Sequence, residues 1–94
     1  MEAVQVSYEQ LLQLARGLEG KTLKTVRGTE FRVGIYMDCP FFIPSSTGRG
    51  RSDGRRAAEQ FLVRFNEIHS YRPSDYKDVT RNGSYFVVMM QEME

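Results

Sequence analysis

The chain has a single cysteine, Cys39, and a single histidine, His69. The first excludes an internal disulfide and a cysteine-rich metal centre, and the second leaves any metal to carboxylates. None of the oxygen-ligand loop spacings occurs. The nucleotide-binding order GxxxxGK(S/T) is also missing, so nothing supports nucleotide hydrolysis. No apolar run approaches the ~20 residues that a membrane-spanning helix requires. The opening MEAVQVSYEQ has neither a basic nor an apolar leader segment, and a cytoplasmic protein with no membrane association is expected.

The 94 residues allow one domain, 1–94, and the 40% of apolar residues suffice for a small core. Net charge is +1 and says little about partners, but its distribution says more. Residues 21–37 and 45–58 each sum to +3, whereas 1–20 and 82–94 each sum to −2. Two internal basic stretches are a modest form of the footprint expected for an anionic partner.

Ser7-Tyr8-Glu9-Gln10 has the form of a capping box, with Val6 and Leu11 placed for a hydrophobic staple. Tyr8, Leu11, Leu12, Ala15 and Leu18 follow at helical spacing until Gly20, which predicts a helix over 8–19. Thr22–Val26 reads as a strand and 27–30 as a turn. Phe31, Val33, Ile35 and Met37 alternate with polar or small residues, as in a half-buried strand. Cys39-Pro40 is expected to break that strand, and Phe41-Phe42-Ile43 to resume as another, ended by Pro44. Ser52 or Asp53 caps a second helix that carries Ala57, Ala58, Phe61, Leu62, Phe65 and Ile68 on one face and ends near His69. Residues 70–80 read as an irregular loop with room for a helical turn, and Asn82-Gly83 as a tight turn. Tyr85–Met90 is apolar without alternation, which predicts a fourth, central strand. The fold class is therefore α+β in the order α-β-β-β-α-β, with a mainly antiparallel sheet of about four strands.

The stretch FFIPSSTGRGRSDGRR over 41–56 combines hydroxyls, glycines and four arginines. Arg55 and Arg56 fall in the first turn of the second helix, where the backbone already presents partial positive charge and cations are disfavoured. A docked anion turns that conflict into an advantage, because free N–H groups and guanidinium groups converge on it. Ser45, Ser46 and Thr47 add short donors, and Arg49 and Arg51 add charge. The bland alternative is a mobile surface loop whose arginines pair with Asp53 and Glu59. A secondary surface comprises Tyr71, Arg72, Tyr76 and Lys77, with Arg81 beyond, where rings interleave with cations as in nucleic-acid binding. Here the bland alternative is that Tyr71 and Tyr76 cover the core edge.

No catalytic constellation is legible. Cys39 lies at an apolar strand end, where a buried structural thiol is the ordinary outcome. His69 falls at a helix end with no designated partner. Asp38 followed by Asp75-Tyr76-Lys77 matches the arithmetic of a metal-dependent nuclease, but the second part falls in a loop.

The segments FFIPSSTGRGR at 41–51 and SYRPSDYKDVTRNGSYF at 70–86 together resemble small α+β proteins of bacterial mobile elements, including integron gene cassettes. More faintly they resemble nucleic-acid-reading modules of restriction-type enzymes. The resemblance spans about half of the chain and transfers no catalytic residue. It implies a bacterial, cytoplasmic, stand-alone and often oligomeric protein.

The leading expectation is non-catalytic binding of an anionic ligand, DNA or RNA foremost, without a cofactor. A protein-interaction or homodimeric adaptor is the second reading, built on the methionines Met89, Met90 and Met93 of the last predicted strand. A metal-dependent nuclease is the third.

Overall fold

A computed structural model describes residues 5–93. The leader reading and the charge sums at the two ends draw in part on residues 1–4 and 94, outside the described residues.

The capping box forms as its spacing requires. Gln10 N–H donates to Ser7 Oγ at 3.1 Å and Ser7 N–H donates to Gln10 Oε1 at 2.8 Å, so each satisfies a donor that the helix start would leave open. Helix α1 runs Tyr8–Leu18 and buries Leu11, Ala15 and Leu18. Three antiparallel strands follow, β1 (Thr22–Lys24), β2 (Glu30–Tyr36) and β3 (Cys39–Pro44), in the order β1-β2-β3. Cys39-Pro40 does not interrupt the sheet. The reversal comes two residues earlier, at Met37 and Asp38, both in the left-handed region at φ 51° and 57°. That is the geometry of a two-residue hairpin turn, so Cys39 pairs with Tyr36 and Pro40 with Ile35. Register then puts Val33 opposite Phe42 on the core face and Gly34 opposite Phe41 on the outer face. A Cβ on Gly34 would lie 2.5 Å from the Phe41 ring, which explains the glycine in mid-strand.

Helix α2 spans Arg55–Ile68 and buries Ala58, Phe61, Leu62 and Phe65 of the predicted apolar face, whereas Ala57 is half-buried and Ile68, in the last turn, is exposed. Its N-cap is Gly54 rather than Ser52 or Asp53, and no side chain caps it. The two expected caps are engaged elsewhere. Ser52 Oγ accepts from Gly54 N–H at 3.0 Å, and Asp53 Oδ2 accepts from the Thr80 hydroxyl at 2.8 Å and from Arg81 N–H at 2.6 Å.

The expected fourth strand is instead a helix, α3, over Gly83–Gln91, preceded by a 3-10 turn at Pro73–Tyr76. The sheet therefore has three strands among the described residues, and the order is α-β-β-β-α followed by the turn and α3. A helix apolar on every side carries no amphipathic period, and α3 buries Tyr85 through Met90 without a break. Asn82-Gly83 is its start and not a hairpin turn. Gly83 lets the 3-10 turn pass close by, since a Cβ there would stand 3.2 Å from the Pro73 carbonyl oxygen. The adaptor reading loses its strand by the same result: Met89 and Met90 are fully buried in the chain's own core, and Met93, beyond the end of α3, is exposed.

Aromatic rings join the layers. Tyr85 lies 4.8 Å from Phe31 and 5.4 Å from Phe42 of the sheet, between ring centroids. Phe86 lies 4.9 Å from Phe42 and 4.5 Å from Phe61 of α2. Helix α3 is thus the wedge between sheet and α2, and the radius of gyration of 12.2 Å is that of one packed unit of this length. No helix among the described residues is long and apolar enough to cross a membrane.

Candidate functional site

The residues singled out from the sequence divide into two surfaces. Ser45, Ser46 and Thr47 form an exposed turn directly after β3, held by Ser45 N–H on the Glu30 carbonyl at 2.9 Å and Gly48 N–H on that of Pro44 at 2.8 Å. Thr47 Oγ1 accepts from Arg49 N–H at 3.3 Å. Arg51 extends the outer edge of β3 through two backbone bonds with Phe42 at 2.6 and 2.9 Å, and its side chain is exposed. Gly50 allows that return, because its backbone passes against the Phe41 ring.

The arginines at the start of α2 do not act together. Arg55 Nε donates to Glu59 Oε1 at 2.9 Å, and its guanidinium lies 4.6 Å from the centre of the Tyr8 ring. The hydrogen bond to Glu59 raises the Arg55 pKa further above its ordinary value. Beneath it, burial and then the neighbouring Cys39 push the Tyr8 hydroxyl up to about 12, and that hydroxyl donates to the Asp38 carbonyl at 2.7 Å. Arg56 points into a different hollow of about 630 Å³, which it shares with Glu59, Glu67 and Asp78. Of the two, Arg55 is committed to a carboxylate and Arg56 faces three of them. The two side chains at this helix start turn to different neighbours.

The larger concavity lies elsewhere. A groove of about 900 Å³ opens between the β1–β2 turn and the segment from Tyr71 to Tyr85. Among the described residues its lining includes four cationic residues, Arg27, Arg72, Lys77 and Arg81, five serine and threonine residues, Thr25, Thr29, Ser74, Thr80 and Ser84, and no carboxylate. Local bonding explains how the walls hold. On one side Thr25 N–H donates to the Thr29 carbonyl at 2.9 Å and Thr29 N–H to Thr25 Oγ1 at 3.1 Å, so the turn presents Arg27 on a closed loop. On the other side Tyr76 is buried and its hydroxyl donates to the Ser70 carbonyl at 2.7 Å. Ser70 Oγ in turn bonds Asp75 Oδ2 and accepts from Arg72 N–H at 3.0 Å. Arg64 of α2 grips the same segment by a forked pair to Asp78 at 2.8 and 3.0 Å and a bond to the Asp75 carbonyl at 2.8 Å. This pair holds the Asp78 carboxyl below its ordinary range.

Tyr76 is therefore a pillar of the groove and not a contact surface; burial raises its hydroxyl's pKa. Tyr71, Arg72 and Lys77 do line the groove together. Arg72 Nε stands 3.6 Å from Asp75 Oδ2, a loose pair on an exposed side chain. The side chains of Arg27, Lys77 and Arg81 form no salt bridge with another described residue. Sequence reasoning overlooked Arg27 as a site residue, although the +3 sum over 21–37 was its signal; placing it opposite Lys77 takes the tertiary fold.

The other candidates separate. Cys39 is buried, with Sγ 3.4 Å from the Pro40 carbonyl and 3.5 Å from Ser52 Oγ, near the start of α2. His69 caps the opposite end of that 14-residue helix, about 20 Å away, with its ring on Phe65. Asp38 sits in the β2–β3 turn and Asp75 in the 3-10 turn, and no three His, Cys, Asp or Glu residues among those described gather to hold a metal ion.

No family model, curated protein or solved structure matches the chain.

Proposed function

We propose that the protein is a non-catalytic binding module for an anionic partner, nucleic acid, and that its binding surface is the groove between the β1–β2 turn and the Tyr71–Tyr85 segment. One observation carries this reading: four cationic residues line a single concavity that no carboxylate of the described residues shares. Low-dielectric walls around charges of one sign concentrate their field, and a polyanion meets it repeatedly along its backbone. Arg49 and Arg51 on the exposed loop add diffuse attraction outside the groove, and Ser45, Ser46 and Thr47 flank the sheet end that carries the β1–β2 turn.

Two triple variants test this in a fluorescence-anisotropy assay at 50 mM salt. Arg27→Gln with Lys77→Gln and Arg81→Gln removes three of the four groove charges, and Arg49→Gln with Arg51→Gln and Arg56→Gln removes as many from the loop and the start of α2. The groove triple is expected to abolish binding and the loop triple to weaken it a few-fold. Equal losses from both would reduce the effect to net charge and remove the groove from the account.

A second reading, self-association, has a specific observation behind it. At the tip of the β2–β3 hairpin Tyr36 and Met37 are 70% and 80% exposed, with Met37 in a left-handed conformation that a long side chain seldom adopts. Mass by light scattering decides it: a dimer that Met37→Ser dissolves supports the tip as a contact, and a monomer at 100 µM dismisses it.

A further inference from the structure

We infer that the groove takes a single strand of nucleic acid, with a base stacked on Tyr71 and the adjoining phosphates on Arg27, Lys77 and Arg81. This rests on the nucleic-acid reading above and narrows it from nucleic acid in general to its unpaired form.

Proteins read duplex DNA by pushing a convex element, a helix or a two-stranded ribbon, into the major groove. Among the described residues no convex element has an uninterrupted basic surface. Helix α1 carries Glu9 against Arg16 on its outer side, and on α2 Arg55 is paired with Glu59 while Arg64 is paired with Asp78. Helix α3 is buried on every side. The protruding β2–β3 ribbon ends in Tyr36, Met37 and Asp38, without a cation. Four cationic residues gather in a concavity instead, where a rod with its bases stacked inside cannot present them.

An unpaired strand can use that shape. It offers flat base faces as well as phosphates, and proteins that bind it combine a cationic groove with aromatic platforms. Tyr71 meets the second requirement. It is half-buried in the groove wall, and the Phe65 ring packs against it at 5.8 Å between centroids with the planes tilted by 59°. Threonine and serine hydroxyls line the same walls and serve phosphate or sugar oxygens of either DNA or RNA.

The test uses the full chain with labelled dT12, rU12 and a 12-base-pair duplex in 50 mM KCl. Both single strands are expected to bind at least tenfold more tightly than the duplex; if only one does, the sugar is read as well. Tyr71→Leu should weaken single-strand binding about tenfold, while Tyr71→Phe, which keeps the ring, should stay within about twofold of the parent. Lys77→Gln, at an exposed position away from the core, serves as the control should Tyr71→Leu lose its fold, and should weaken single strands more than duplex. Duplex binding as tight as that of the single strands, still lost in the groove triple, would overturn the single-strand inference and leave the groove reading standing. Absence of binding to all three probes would overturn both.

Discussion

Asp53 is the residue through which the loop before α2 and the groove depend on each other. One of its carboxylate oxygens receives the Thr80 hydroxyl at 2.8 Å and Arg81 N–H at 2.6 Å, and both residues line the groove. Asp53→Ala removes both bonds. The Arg81 amide is exposed and water replaces its partner, so that loss is small. Thr80 is buried, and its hydroxyl proton is left without an acceptor, although its oxygen still receives Asn82 N–H at 3.0 Å. Hydrogen bonds to charged groups contribute about 1.5–3 kcal/mol each when shielded from water and less when exposed, so the sum is about 2 kcal/mol. For a domain of this size that lowers the Tm by roughly 8–16 °C in a circular-dichroism melt. Asp53→Asn retains an acceptor oxygen and should lose less than half as much. Binding supplies a check on sign. If Asp53 mattered only as a negative charge near the groove, both variants would bind an anionic strand more tightly. The anchoring role predicts that Asp53→Asn binds at least as well as the parent, whereas Asp53→Ala binds more weakly because Arg81 is no longer fixed. A melt of Asp53→Ala within 2 °C of the parent, or tighter binding by that variant, refutes the reasoning.

Gly34→Ala places a Cβ 2.5 Å from the Phe41 ring, which is partly exposed and can swing outward; the expected cost is about 1–2 kcal/mol in urea unfolding, and an unchanged midpoint contradicts the tight approach. The Arg64–Asp78 pair contributes stability that depends on pH. Because the folded Asp78 pKa lies below its unfolded value near 3.8, the contribution is present above about pH 4 and disappears as pH falls through the folded pKa. Asp78→Asn, which leaves the bond from Arg64 to the Asp75 carbonyl in place, should therefore melt below the parent at pH 7 and approach it as the pH falls through the folded Asp78 pKa, and a constant difference across that range excludes the pair as the cause.

The parts of this fold that are legible in the sequence are those with local signals. Ser7 and Gln10 announce the start of α1 by their spacing, and the 3.6-residue recurrence of Phe61, Leu62 and Phe65 fixes the buried side of α2. The Tyr85–Met90 segment has no such signal. Its aromatic and β-branched residues favour a strand, a short apolar run cannot declare its period, and burial between sheet and α2 decided for a helix. The caps of α2 failed for a related reason: Asp53 has the right chemistry for the helix start, but Thr80 and Arg81, 27 and 28 residues away, take its oxygen. The site shows the same division. That positive charge gathers in two stretches is plain from composition. That the first stretch meets Lys77 and Arg81, while Arg55 of the second turns to Glu59, depends on contacts no local pattern encodes.

The salt dependence of strand binding tests the central claim most directly. Three groove cations that pair with no carboxylate of the described residues, and Arg72 if it leaves Asp75, give three to four phosphate contacts. For a single strand these correspond to a slope of log affinity on log salt of about −2 to −3, or roughly 20- to 50-fold weaker binding between 50 and 200 mM KCl. Lys77→Gln should make that slope shallower by about 0.7. A slope indistinguishable from zero, or one that Lys77→Gln leaves unchanged, contradicts the account.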